Sequence, residues 1–263
     1  MKRVLIILAL FIGIIDLLLL GGWLYNNFVN NAPLPIKPVK NNNYYYRVFL
    51  TSDDGPLAMS KNLNRVILEE RVPFTLFLVG KPASINKNLL KELALYKKNP
   101  YISLCNHSFS HANFHYIKYY QDPDNVLDDF LKNRDFLELE CNLARLPGRN
   151  IWRIGSISEG EKSGSRAANL LALNGFDIVG WDIEWHMDRR GKILESPKEI
   201  YHKILDALYK DKTHSNGDLV LLMHDQMFRT KEDMNKLKEL IKLLKSNSFI
   251  KLASLKEYNS KKE

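Results

Sequence analysis

The chain has 263 residues, 45% of them hydrophobic, with 38 Lys plus Arg against 30 Asp plus Glu for a formal net charge of +8. That length suits one domain with a proper core, and no internal repeat appears, nor any low-complexity tract beyond a linker and a Lys-rich tail. The positive balance fits a domain working beside anionic lipid or an acidic polymer, or simply a soluble surface; nucleic acid is a poor partner for a domain that carries an export signal, and no protein partner is expected.

That signal comes first. Met1-Lys2-Arg3 leads into an apolar run over residues 4–24, broken by Asp16 and three glycines. About 20 such residues cross a bilayer as a helix, and Lys2 and Arg3 favour a cytoplasmic amino terminus. Residues 1–25 therefore read as an uncleaved signal anchor, one transmembrane helix, with the rest of the chain on the extracytoplasmic side. A cleaved signal peptide is the rival reading and would make the protein secreted, but Asn31-Ala32-Pro33 is a poor cleavage site. Residues 26–43, Asn-rich with three Pro, form a linker. Residues 44–263 form a single globular domain.

Within it, apolar runs predict strands at residues 48–52, 74–79, 101–105, 143–146, 176–181, 219–223 and 249–252. Amphipathic runs predict helices at 60–71, 84–98 with Ser84 as cap, 122–138, 161–174 stopped by Gly175, 196–210 and 231–245. Strands alternating with helices of that length imply a parallel α/β sheet or barrel. Polar residues then gather where strands stop: Asp53 and Asp54 after the first, His107 and His111 after the third, Arg145 closing the fourth. Asp182 and Glu184 follow the fifth, and His224 and Asp225 the sixth. In a parallel arrangement those ends share one rim.

The residue types on the rim make a hydrolytic set. In an extended chain Asp53 and Asp54 point to opposite faces, so two separate tasks are expected of them; the plainer reading is a turn formed with Gly55-Pro56. His107 and His111 are four apart, a spacing that shares one face of a helical turn. Two His and one carboxylate leave an open position on a divalent metal. A metal on Asp54, His107 and His111 would bring the pKa of its water towards neutrality. Asp53 would act as base and His224 as acid towards a leaving amine. Arg145 would orient Asp53, and the N–H of Gly148, after Pro147, would help hold an oxyanion. The structural alternatives are a surface ion pair for Arg145 and a core histidine for His224. A phosphohydrolase would want more carboxylates for a second metal. Cys105 and Cys141 read as free buried thiols, although an oxidising compartment permits a disulfide.

Thr51-Ser52-Asp53-Asp54-Gly55-Pro56 resembles the T-F-D-D-G-P motif of polysaccharide deacetylases, the NodB homology domain of carbohydrate esterase family 4. His107 to His111 match that family's H-[ST]-x-x-H, Arg145-Leu146-Pro147 its R-x-P, and Leu222-Met223-His224-Asp225 its L-x-H-D. The order is kept over roughly residues 47–253. The resemblance implies a distorted (β/α) barrel of about seven strands. It implies a metal, usually zinc, and removal of N-acetyl groups from an N-acetylated glycan. It makes Asp53 the base, His224 the acid, Asp54, His107 and His111 the ligands, and Leu222 a lining of the acetyl pocket. This chain departs from the pattern at Ser52, where an aromatic is usual, and at Gly148-Arg149, where an aromatic then Gly is common. The fourth motif survives only as Trp181-Asp182-Ile183-Glu184-Trp185. Glu184, or else Asp182, takes the place of the acid that tunes the catalytic histidine, and Trp185 joins Pro147, Gly148 and Leu222 as substrate-binding. The expected activity is metal-dependent N-deacetylation of an envelope polysaccharide such as peptidoglycan. The alternatives are deacylation of a lipid-linked amino sugar carrying acetyl or formyl, and a glycan-binding protein that has lost catalysis.

Overall fold

The computed structural model describes residues 46–258. The anchor expected at 1–25 and the linker at 26–43 lie outside the described residues. Among the described residues no helix is long and apolar enough to cross a membrane.

Apolar, β-branched and aromatic runs pair into one ten-stranded sheet. Its strands are β1 (Tyr46–Asp53), β2 (Phe74–Leu78), β3 (Ile102–Asn106), β4 (Leu143–Ala144), β5 (Ile151–Ile154), β6 (Ile157–Gly160), β7 (Asp177–Ile178), β8 (Ile183–Glu184), β9 (Asp218–His224) and β10 (Ile250–Leu252). The order is β6-β5-β7-β4-β3-β2-β1-β9-β8, with β10 also on β1. Every ladder is parallel except those of β5 with β6 and β7. The sheet is a curled half-barrel, open between β6 and β8, which fits the expected distorted (β/α) barrel but has ten strands where about seven were expected. The antiparallel pair β5–β6 was not expected from the sequence, nor was the shortness of β7 and β8.

Alternation sorts the strands' side chains into two cores. On the outer face Leu50, Leu76, Leu221 and Met223 pack against helices α1 (Ser60–Glu70), α3 (Leu89–Lys98), α7 (Pro197–Tyr209) and α8 (Lys231–Ser246). On the inner face Phe49, Phe77, Val220 and Trp152 form a second cluster. Each fully buried side chain of this size contributes roughly 1.5–3 kcal/mol relative to leaving it exposed. A third cluster joins α5 (Pro123–Leu137) and α6 (Ser165–Leu173) to β4, β5 and β7. Helix starts follow their sequences: Ser196 and Glu199 form a capping box ahead of α7, with Pro197 in its first turn, and Thr230 and Asp233 form one ahead of α8.

The helix expected at 84–98 is two: α2 (Gly80–Ile85), then α3. Ser84 lies inside α2, its hydroxyl donating to the Lys81 carbonyl, and it caps nothing. A short helix, α4 (Tyr116–Tyr119), precedes α5. Cys105 and Cys141 are not free thiols. They form a disulfide with a Cα–Cα distance of 5.1 Å across 36 residues of chain. The cause is topological: β3 and β4 are neighbours that register only at Asn106 and Ala144, which brings the two cysteines together just below that point.

Candidate active site

The upper ends of β1, β3, β4 and β9 converge. Asp53 ends β1 on the inner face, level with Phe77 of β2 and His224 of β9. Ser52 before it points outward, buried and with its hydroxyl unpartnered. Asp54 does not continue the extended chain; its φ is 74°. That left-handed step, which Asp tolerates better than most residues, keeps both carboxylates on one side. His107 Nε2 lies 3.5 Å from Asp53 Oδ2 and 3.7 Å from Asp54 Oδ1. The expectation of opposite faces is corrected, while their other partners do differ.

Asp53 pairs with Arg145, whose Nη1 donates at 2.8 Å to Oδ1. Arg145 has no exposed surface. It also donates to Thr51 Oγ1 at 2.9 Å, Val179 O at 3.1 Å and Gly180 O at 2.8 Å, and its guanidinium lies 4.2 Å from the centroid of the Phe77 ring. Arg145 is thus a buried, fully engaged support for Asp53, not a surface ion pair. Burial draws its pKa below the usual value, against the pull of Asp53.

His107 and His111 do not share a helical turn. They sit on a loop in which Ser108 has φ 67° and His111 φ 50°. Hydrogen bonds shape that loop: His111 N–H donates to Ser108 Oγ at 3.0 Å, and Ser108 N–H to Asn106 Oδ1 at 3.0 Å. Asp129 of α5 accepts from Ser110 N–H at 3.1 Å, Ser110 Oγ at 2.9 Å and the Tyr119 hydroxyl at 2.9 Å. The two imidazoles end 5.1 Å apart between centroids.

Asp54, His107 and His111 each offer a ligand atom, all within 4.8 Å of one another. The donor set fits a metal on two grounds. His107 Nδ1–H donates to Arg145 O at 2.8 Å, which leaves the Nε2 lone pair directed at the cluster. Asp54 Oδ1 is buried and accepts no well-directed hydrogen bond, although His111 Nε2 stands 3.1 Å away. Burial weighs against charge on Asp54, but His111 and His107 outweigh it and hold the carboxyl well below the usual range. Burial pushes His107 down, while on His111 the nearby Asp54 overcomes burial and pushes the imidazole up.

His224 closes the group from β9, half-buried, with Nδ1 buried and without a hydrogen-bond partner. No hydrogen bond ties it to either expected acid. Both oxygens of Asp182 are occupied, accepting from His214 N–H at 2.8 Å and Val220 N–H at 2.7 Å, so Asp182 anchors β9; burial pushes its pKa up to about 6. Glu184 is level with Leu222 and Thr51 on the inner face, and its charge bears on Arg145. Trp185, the next residue, faces the other way. It is fully buried in the outer core, its indole N–H donating to Glu195 O at 2.9 Å, and so cannot wall a groove. The partly buried indole near Arg145 is Trp181, 5.9 Å from the guanidinium, with its backbone held by the Asn150 side chain. Leu222 shares the face of His224 and is 3% exposed.

Pro147 is buried and its carbonyl accepts from the Tyr120 hydroxyl at 2.7 Å. Gly148 is exposed with φ 62°; a Cβ there would lie 3.2 Å from the Tyr116 ring, which packs over it. Asp225 lies beneath the Gly55-Pro56 turn, where a Cβ on Gly55 would come within 2.7 Å of its Oδ2. It accepts from Ser60 Oγ and, at 2.7 Å, from the Tyr96 hydroxyl, and burial pushes its pKa up to about 6. Thr51 was quoted from the sequence only as part of its motif, and Tyr116 and Asp129, which also belong to the site's support, were not singled out; only the aromatic density after His111 hints at Tyr116.

The family model for polysaccharide deacetylases matches residues 40–148. A chitin disaccharide deacetylase of Vibrio alginolyticus is 25% identical, the match covering 55% of this chain and 48% of that protein, so the chain spans about half the length of that curated relative. A Streptococcus mutans CE4 esterase has a similar fold, with TM-score 0.58 at 23% identity over 80% of this chain and 87% of that one. So has the catalytic domain of a peptidoglycan N-acetylglucosamine deacetylase from Eubacterium rectale, with TM-score 0.58 at 18% identity over 83% and 93%.

Proposed function

We propose that this chain is a polysaccharide deacetylase, a reading supported by the family model over residues 40–148, and that it hydrolyses the acetamide of an N-acetylated amino sugar in an envelope glycan, peptidoglycan or a similar polymer. The observation that carries the reading is the placement of the Asp53–Arg145 pair against Asp54, His107 and His111, with His224 level with Asp53 on the adjoining strand.

Two imidazoles and one carboxylate suit zinc with open positions. Bound there, the ion would supply Lewis acidity to the acetamide carbonyl and acidify a water. The chain's own residues do the rest. Asp53 takes the proton from the attacking water, and Arg145, fixed by its carbonyl and hydroxyl partners, keeps that carboxylate aimed. The Gly148 N–H donates to the carbonyl oxygen as charge grows on it. His224 gives a proton to the amine as the C–N bond breaks, so acetate and a free amino sugar leave. Glu184 sets the field at Arg145, and Leu222 lines the acetyl pocket. The disulfide and the apolar run at residues 4–24 support a domain held on the extracytoplasmic side of the membrane by an uncleaved anchor, or secreted if that segment is cleaved.

The test is acetate release from N-acetylglucosamine oligomers and from isolated peptidoglycan, with chelator and with zinc added back. Chelator-sensitive acetate is expected. No acetate from a metal-loaded protein would move the substrate to a lipid-linked sugar; no acetate and no metal would leave a glycan-binding protein.

A further inference from the structure

His111 to Phe114 are four successive residues at positive φ: 50°, 55°, 48° and 61°. Residues with side chains rarely adopt that backbone even singly. Observed strain of this kind points to a task for the segment that holds it. Here it is fixed by the Ser108–His111 hydrogen bond, by His115 N–H donating to Ala112 O at 2.9 Å, and by Lys81 on the Asn113 side chain. Its result is to bring the Phe114 ring back to the edge of the His111 imidazole, 5.5 Å between centroids at 64°. Tyr116 lies against the same imidazole at 5.8 Å and packs over Gly148. Two aromatic rings thus contact one imidazole of the metal-fitting group. Tyr116 is packed, whereas Phe114 stands 78% exposed. Of the comparably exposed residues, Ile85 and Leu173 lie on helices that carry no site residue, and Ile117 follows Tyr116 on α4 without a ring contact to His111.

We propose that Phe114 is a stacking platform for the pyranose ring adjacent to the sugar that loses its acetyl group. The ligand class is an N-acetylated amino-sugar oligomer, and the proposal rests on the deacetylase reading. A pyranose presents a face of C–H bonds with slight positive charge, which complements the negative face of an aromatic ring. A ring in contact with His111 can only cover something contiguous with the bound acetamide. That favours the next sugar of the same chain over a lipid surface, which would have to enter the same cleft.

The experiment compares wild type, Phe114→Ala, Phe114→Trp and, as a remote control, Leu173→Ala in the full chain. It measures chitotetraose affinity by calorimetry, acetate kinetics on the tetramer and on N-acetylglucosamine, and zinc content. The expected result for Phe114→Ala is a rise of about tenfold in tetramer Kd and KM, with no rise for the monosaccharide and zinc retained. Phe114→Trp should recover the affinity and Leu173→Ala should match wild type. Unchanged tetramer affinity in Phe114→Ala overturns the platform. So does a loss that follows zinc content, which would make the ring a support for the loop, or a defect confined to substrates in vesicles, which would make it a membrane contact. If wild type binds the tetramer through Phe114 but releases no acetate, the hydrolase reading fails and the platform stands. If wild type does not bind the tetramer, the platform fails.

Discussion

Replacing both Cys105 and Cys141 with Ala probes the seam on which the site is built. The disulfide closes a loop of 36 residues, and the chain-entropy relation for a loop of that length gives a loss of about 4 kcal/mol when it is opened. Alanine is the right replacement because Cys105 has no exposed surface, and serine would bury a hydroxyl there. The loop contains His107 and His111, while Arg145, whose carbonyl accepts from His107 at 2.8 Å, lies just outside it. The disulfide and that hydrogen bond therefore span the same gap between β3 and β4, where the ladder registers a single residue pair. Urea unfolding followed by tryptophan fluorescence reads the first effect. With a denaturant slope of roughly 2–3 kcal/mol per molar, the midpoint should fall by about 1.5 M. Zinc affinity by chelator competition reads the second, with a loss of about 10- to 100-fold, the range for removing an outer support of a ligand. A midpoint shift below about 0.3 M together with unchanged zinc affinity would refute the idea that the crosslink holds the seam.

Arg145→Lys keeps a charge but cannot reach Val179 O, Gly180 O, Thr51 and Asp53 together, and should cost about 2–4 kcal/mol in urea unfolding. Arg145→Met should cost about 3–5 kcal/mol, because it leaves the Asp53 charge buried and unpaired; equal midpoints for Met and wild type would contradict that pairing. Asp129→Ala frees Ser110 and Tyr119 and should weaken zinc binding by about tenfold or more; wild-type affinity in the chelator competition would remove Asp129 from the site's support. Asp225, pushed up to about 6 by burial, holds its proton in the folded protein over a range where the unfolded chain has lost it. Its contribution to stability is thus full below about pH 4 and lost as pH rises to about 6, a span of about 3 kcal/mol. Asp225→Asn should gain on wild type by that order between pH 4 and 7; a pH-independent difference would count against it.

The sequence made the strand ends legible because long strands show their period and the polar residues after them are few. Asp53, Asp54, His107, Arg145 and His224 sit at the ends of β1, β3, β4 and β9, as expected from runs such as residues 48–52 and 219–223. Trp185 and Asp182 were harder. β8 has two residues, too few to display which side chain faces inward, and the fourth motif is degraded there. The β5–β6 pair lies in Ile151–Gly160, where Gly155-Ser156, a two-residue turn with Gly at its first position, is a hairpin signal that went unused because the two strands it joins are only four residues each. The disulfide was out of reach, since two cysteines far apart in sequence say nothing of which strands adjoin. Asp129 lies on a helix face like any solvated acid, and only the loop's backbone reveals what it holds.

The division of β1 and β9 into an inner and an outer face has a practical side. Thr51, Leu222 and Glu184 form one level beneath the reacting groups, whereas Leu50, Leu221, Met223 and Trp185 belong to the packing against the helices. Because Thr51 also holds Arg145, a combinatorial library confined to Leu222 and Glu184 would vary the floor of the cleft without disturbing the helical layer. On the proposed deacetylase reading, acyl-chain preference, from acetyl towards formyl or propionyl, should therefore be open to directed evolution separately from thermal robustness.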